Sequence, residues 1–377
     1  MKLAGLPLGI LLLLGVAYVT DYSMILLIKA GDMSGTSTYQ ALVSRTFGFP
    51  GYLLISVLQF LYPFAVTPGS ILADRHFAIL STTICITLPI ALYRNMRRLG
   101  KVSLMSLLLT VIVLVIVITR TSSFTTSIPH TEGAWVFAKW NAIQAIGVMS
   151  FVFMCHHACF LIYGSLEKGT VRNWSCITHV SMIISLIISL QYSIFGYVSF
   201  TGFTQGDLFE NYCKNDNLAT VGRFFYAMTI ILTYPMECFV AREVISNVFF
   251  SGTLSTGHHF AVTLAVVSAT TIISLFSDCL GMVLELNGIL SATPLVFIIP
   301  TACYLKLSGD HWYHINNAMP CFIFLLGIII MPVGFFMAIL YPQECSHGKE
   351  MFYCLSNSTL MGVPLAHLYQ SNTSEIK

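Results

Sequence analysis

The polar residues able to do chemistry are few, and they gather in three otherwise apolar stretches. One reads Thr233-Tyr234-Pro235-Met236-Glu237-Cys238. Pro235 has no backbone N–H to donate and so frees the carbonyl four residues earlier, at Ile231. A freed carbonyl near the Thr233 hydroxyl supplies the hard oxygens that a sodium ion takes. The plainer reading of the same residues is a proline kink, with Glu237 paired to Arg242. The second stretch runs from Gly147 through Ser150 and Phe151 to His156 and His157. Gly and Ser weaken a helix, and adjacent histidines are costly in lipid unless they face a polar cavity. An interrupted helix here aims its half-helix ends at a charged solute. The competing reading is a packing glycine, with both histidines hydrogen-bonded inside a bundle. The third stretch, Leu284-Glu285-Leu286-Asn287-Gly288, makes Glu285 and Asn287 either a gate or an interfacial cap. Asp21, Tyr22 and Ser23 read as structural, and Gln59, Tyr62 and Pro63 as residues placed to line a path.

Enzymatic signatures are missing. There is no His-Glu-Xaa-Xaa-His, no Gly-Xaa-Ser-Xaa-Gly and no Gly-Lys-Ser/Thr phosphate loop. Neither an enzyme nor an ATP-driven pump is indicated, and no cofactor is expected. Sparse, specific polar groups among many apolar helices point instead to passage of a solute driven by an existing gradient.

The elements that position these groups follow from composition. Only 9% of the 377 residues are charged and 56% are hydrophobic, with a mean hydropathy of +0.80. An ordinary soluble domain carries roughly 25% charged residues. The net charge of +2 gives no field for nucleic acid. Lipid is the natural solvent for this chain. With about 20 apolar residues needed per span, the charge-poor runs yield about ten transmembrane helices. They lie near residues 3–28, 46–73, 76–93, 102–119, 140–166, 173–206, 224–240, 244–277, 279–305 and 311–343. The runs are continuous rather than alternating, which argues for an all-α polytopic protein and against a barrel. The first reads as a mature helix rather than a signal peptide. Residues 1–341 form the membrane domain and 342–377 a tail.

Arg94, Arg97, Arg98 and Lys101 crowd one short connection, which the positive-inside rule sets in the cytoplasm. The tail then falls outside, with glycosylation sequons at Asn357 and Asn372. Cys213, Cys345 and Cys354 also fall on that oxidising side. One disulfide among them is expected, with the pair left open. The other eight cysteines, Cys279 included, sit in or at the ends of spans and read as small apolar residues.

Several stretches carry a family likeness: Thr46-Phe47-Gly48-Phe49-Pro50-Gly51, Leu92-Tyr93-Arg94-Asn95, Ala145 to Phe151, Thr201 to Asp207, Leu232 to Phe239, and Leu284 to Gly288. Through them the chain resembles the sodium-coupled neutral amino acid transporters, solute carrier family 38, of the amino acid/auxin permease superfamily. The resemblance implies eleven helices, ten of them in two inverted five-helix repeats, working by alternating access at the plasma membrane. It implies a neutral amino acid such as glutamine or alanine as substrate and sodium as coupling ion. Thr233 matches the family's sodium ligand. Gly147–Phe151 matches the unwound half-helix, making Gly147, Ser150, Phe151 and His156 the candidate substrate residues. Glu237, Glu285 and Asn287 become candidates for gating or coupling.

Two departures stand out. The family's first helix should precede Lys2, and roughly 30 residues are missing after Phe64, too many for the third helix to keep its full span. The absent first helix supplies half of the substrate site and most of the sodium site in the family. The expectation is that the chain as written does not transport by itself, acting instead as a non-transporting isoform or an amino acid sensor.

Overall fold

The computed structural model describes residues 1–61, 82–92, 96–125, 128–131, 133–167, 169–250, 254–276, 279–309, 314–343, 345 and 349–354. Among them there is no strand. Among the described residues nine helical stretches are, by length and composition, long and apolar enough to cross a membrane, Tyr39–Gln59 being counted as one, and the third expected span is only partly described. The protein is an integral, multi-pass, all-α membrane protein.

The helices are α1 (Leu6–Ser34), α2 (Tyr39–Leu61), α3 (Leu88–Ala91), α4 (Met96–Thr125), α5 (Ala142–Phe153), α6 (Cys159–Gly164), α7 (Val171–Phe200), α8 (Asn217–Phe249), α9 (Thr256–Phe276), α10 (Leu280–Asn287), α11 (Ile299–Leu307) and α12 (Ile315–Leu340). Two wide π turns, Gly288–Ala292 and Pro294–Ile298, join α10 to α11. Local chemistry sets several ends. Asp216 caps α8 by accepting from the amides of Leu218 and Ala219, each at 3.0 Å. Gly35, at φ 67°, closes α1 in the left-handed conformation, its amide donating to the Asp32 carbonyl.

The second expected span is not a straight rod. Gly48 adopts φ 74° and ψ −162°, which a side chain would resist, and Pro50 follows it. Gln40 Nε2 donates to Gln59 Oε1 at 2.6 Å, and both amides are buried. In an unbroken helix those residues would stand about 28 Å apart. The two arms of α2 therefore fold back on one another, and neither alone has the length of a span. The amide of Gln59 is spent on Gln40 rather than on a path, while Tyr62 and Pro63 lie outside the described residues.

Packing divides the helices into two groups. One core, with Leu27, Ile28, Leu295, Phe297 and Ile323, joins α1, α5 and the α10–α12 segment. The second group is α4, α7, α8 and α9, with cores around Val113, Val117 and Phe200 and around Tyr234, Cys238 and Val266. Helix α1 also packs along α7, where Trp174 Nε1 donates to the Met24 carbonyl. Leu104, Leu108 and Val115 on α4, and Phe322, Leu325 and Phe336 on α12, are exposed. Such apolar outer surfaces suit acyl chains, not water.

Candidate functional site

Helix α5 is broken, three residues later than the sequence motif suggests. It ends at Phe153; Met154 is extended, with ψ 115°, and His156–Ala158 form one 3₁₀ turn before α6 begins. Gly147–Phe151 remains helical, which corrects its reading as the unwound segment. Gly147 has a packing role there: an added Cβ would meet Ile289 Cγ1 at 2.5 Å, and one on Gly288 would meet the Gly147 carbonyl at 2.1 Å. Backbone approaches backbone, and only glycines fit. Ser150, fully buried, donates to the Ile146 carbonyl at 2.7 Å, while Phe151 is half-buried.

The break gathers polar groups from three helices. Ser23 of α1 donates to the Thr20 carbonyl at 3.1 Å, so His156 Nε2, 2.7 Å from the Ser23 oxygen, is the donor in that pair. His156 Nδ1 is then an acceptor, buried and without a donor. His157 turns the other way. Its Nε2 lies 3.2 Å from Glu237 Oε2 on α8, tying the broken helix to the second group. The alternative pairing of Glu237 with Arg242 does not occur: Arg242 donates to the Ala91 carbonyl at 3.0 Å and to Thr263 at 3.1 Å. Asp21 lies 2.6 Å from His179 of α7. Ser23 is part of the site, which its sequence context did not signal.

Thr233 stands one turn before Glu237, on the same face of α8. Its hydroxyl donates to the carbonyls of Thr229 at 3.0 Å and Ile230 at 3.1 Å, leaving its lone pairs as acceptors. Helix α8 runs unbroken through Pro235. Among the described residues no cluster of three His, Cys, Asp or Glu side chains can hold a metal. Asn287 ends α10 just before the first π turn. Glu285 is buried far along α10 from the break, accepting from Gln343 at 2.7 Å.

The third polar region is a cap at one end of the bundle. Arg120 pairs with Asp216, and Arg223 donates to the carbonyls of Phe209 at 3.1 Å and Tyr212 at 2.6 Å. Cys213 is bonded to Cys354, with Cα atoms 5.4 Å apart. Cys345 pairs instead with Cys279, at a Cα distance of 5.6 Å, which corrects the reading of Cys279 as an apolar span-end thiol. Cys279 precedes the first turn of α10, at the end of the bundle to which the tail returns after α12. Burial raises the Asp207 carboxyl in this cap to about 6, although the Phe209 amide bonded to it pulls the other way. Asn357 and Asn372 lie outside the described residues.

A helix interrupted inside the membrane, with buried polar groups reaching both packed groups, defines a polytopic solute-transport protein. The chain matches the family model for the transmembrane amino acid transporter protein over residues 1–73 and 69–341. It is 55% identical over 390 residues to putative sodium-coupled neutral amino acid transporter 11 of Bos taurus, covering 97% of this chain and 84% of the relative. The Homo sapiens protein of that name is 55% identical over 394 residues, covering 98% and 97%. Vacuolar amino acid transporter 2 of Saccharomyces cerevisiae is 25% identical over 395 residues, covering 93% and 80%. The chain belongs to the transmembrane amino acid transporter family and, within it, to the sodium-coupled neutral amino acid transporters of solute carrier family 38. The alignment to the bovine protein is longer than the chain itself, so the relative has residues without a counterpart here.

Proposed function

We propose that this chain serves the movement of neutral amino acids, glutamine-like or alanine-like, together with sodium across the plasma membrane. The observation that carries the reading is the break in α5. The carbonyl end of α5 and His156 Nδ1 present acceptors, which suit a substrate ammonium. The Glu237–His157 contact spans the two helix groups, so its making and breaking accompanies their rocking. Sodium is placed beside Thr233 on α8, whose free lone pairs and neighbouring Ile231 carbonyl are hard-oxygen ligands. Residues 1–341 carry this activity. Residues 342–377 form an extracellular tail glycosylated at Asn357 and Asn372.

A second reading, a chain that binds substrate without transporting it, is favoured by the folded-back α2 and by the family match in two segments. Uptake of labelled alanine and glutamine by cells expressing this chain separates the two. Sodium-dependent uptake that His156→Leu lowers at least about tenfold at equal surface level supports transport. Binding of labelled substrate to purified protein without uptake establishes the second reading. Absence of both refutes the site.

A further inference from the structure

Helices α1 and α7 pack antiparallel, tied by the Trp174 Nε1 bond to the Met24 carbonyl at 3.3 Å and by Asp21 against His179. Along one side of that seam they leave a groove of about 560 Å³. Ile25 and Lys29 line it from α1, and Arg172, Ser175, Cys176 and His179 from α7. Their spacing sets them on one face of each helix. Lys29 lies near the end of α1 and Arg172 near the start of α7, so the two exposed cations share one end of the groove. The positive-inside rule sets that end in the cytoplasm.

Away from the cations the same two faces continue as exposed apolar residues. They are Tyr18, Leu14 and Leu11 on α1, and Val180, Ile183 and Ile187 on α7. Tyr18 and Lys29 are separated by roughly 16 Å of helix axis, about the hydrocarbon depth of one leaflet.

The polar groups of the groove differ in what they already hold. His179 is engaged at both ring nitrogens, Nδ1 at 2.6 Å from Asp21 and Nε2 at 3.1 Å from Ser175. Lys29 and Arg172 are not engaged: among the described residues neither side chain forms an ion pair or a hydrogen bond. The described acids nearest to them in sequence are Asp21, Asp32 and Glu167. Asp21 is taken by His179, and Asp32 accepts from Tyr163 at 3.4 Å. Lys168 lies outside the described residues. Two free cations at the mouth of an apolar furrow suit an anion that brings its own apolar body. A small anion leaves the furrow uncovered, and a lipid without net charge leaves the cations uncompensated.

We propose that this groove binds an anionic phospholipid, its phosphate held between Lys29 and Arg172 and its acyl chains laid along α1 and α7. Ser23 and Met24, which meet His156 and Cys155 of the broken helix, lie on the stretch of α1 between Asp21 and Ile25. An occupied groove therefore braces the wall behind the break. The site rests on two helices and their charges, and it stands or falls apart from the transport reading.

The test is native mass spectrometry of the full chain in detergent, titrated with phosphatidylglycerol or phosphatidylcholine of identical acyl chains. The melting temperature of every variant is checked alongside. Wild type is expected to hold phosphatidylglycerol at least about tenfold more tightly than phosphatidylcholine. Lys29→Gln and Arg172→Gln, both at exposed positions, should each weaken that binding about fivefold, the contribution of one cation near a membrane surface. Arg45→Gln removes an exposed base that does not line the groove and should change nothing. Cys176→Trp fills the groove, leaves both cations in place and should abolish the preference. Equal binding of the two lipids, or an equal loss with Arg45→Gln, overturns the proposal. Phosphatidylglycerol binding that survives Cys176→Trp, or that inorganic phosphate displaces, also overturns it and marks a site for the free anion.

Discussion

The cap and the α5 break are both built from polar side chains meeting across helices, yet they are tied in different ways. In the cap, segments distant in sequence are joined several times over. A disulfide links Cys213 to Cys354, Arg120 holds Asp216, and Arg223 grips two carbonyls. Tyr353 donates to the Asn211 carbonyl at 2.7 Å, and the rings of Phe124 and Phe200 pack edge-on against Tyr212. At the break the ties across helices are individual side-chain contacts with no disulfide among them: Ser23 to His156, Cys155 to Met24, and His157 to Glu237. Redundant ties suit a part that must hold still. Side-chain contacts without a covalent link, one of them between the ionisable groups His157 and Glu237, suit a part that changes partners.

The largest effect expected from breaking this contrast is Cys213→Ser. Freeing the tail from the loop removes a long-range closure and should cost the cap about 2–4 kcal/mol, read as a lower melting temperature in non-reducing buffer. Protection of the amides around the break should not change; if it does, the two regions are one cooperative unit. Glu237→Gln comes next. It removes a charged partner from buried His157 and should cost about 1.5–3 kcal/mol. A double-mutant cycle with His157→Gln gives the coupling directly, and additivity of the two changes would show that the tie is not made.

These two residues also show how far the sequence could be read. The Thr233–Cys238 stretch marks Glu237 as functional, but the one partner it suggests, Arg242, is a base on the same helix. His157 comes from 80 positions away by number and its choice depended on where α5 breaks. The break falls after the motif because a glycine signals two opposite things. Gly147 can loosen a helix or let another backbone approach, and only the presence of Gly288 and Ile289 against it decides for the second.

Gly147→Ala sharpens that point with a smaller effect. The added methyl must push Ile289 aside, an overpacking cost of about 1–3 kcal/mol measurable by thermal unfolding. An unchanged melting temperature would mean that the α5–π-turn contact has slack. Asp207→Asn is expected to do least. The folded carboxyl keeps its proton to about pH 6 and the unfolded one only to about pH 4. The folded cap thus binds more protons in that window, and its stability falls as pH rises from about 4 to about 6, then levels off. The asparagine variant should lose this slope while still accepting from the Phe209 amide. A slope that survives points to another group in the cap.

Composition and span length settled what the molecule is dissolved in and that its backbone must be helical, because lipid offers no partner to an open N–H or carbonyl. Sequence motifs were enough to assign the family and to point at Glu237, Glu285 and the Gly147–His157 stretch. Pairing was different. The fold-back of α2 at Gly48 and the break at Met154–Cys155 bring together residues far apart along the chain, and the Cys279–Cys345 bond and the partners of His156 and His157 join separate segments. A helical sequence fixes its own hydrogen bonds locally, but which side chains meet across helices depends on how whole faces pack. That choice was made only in the tertiary structure.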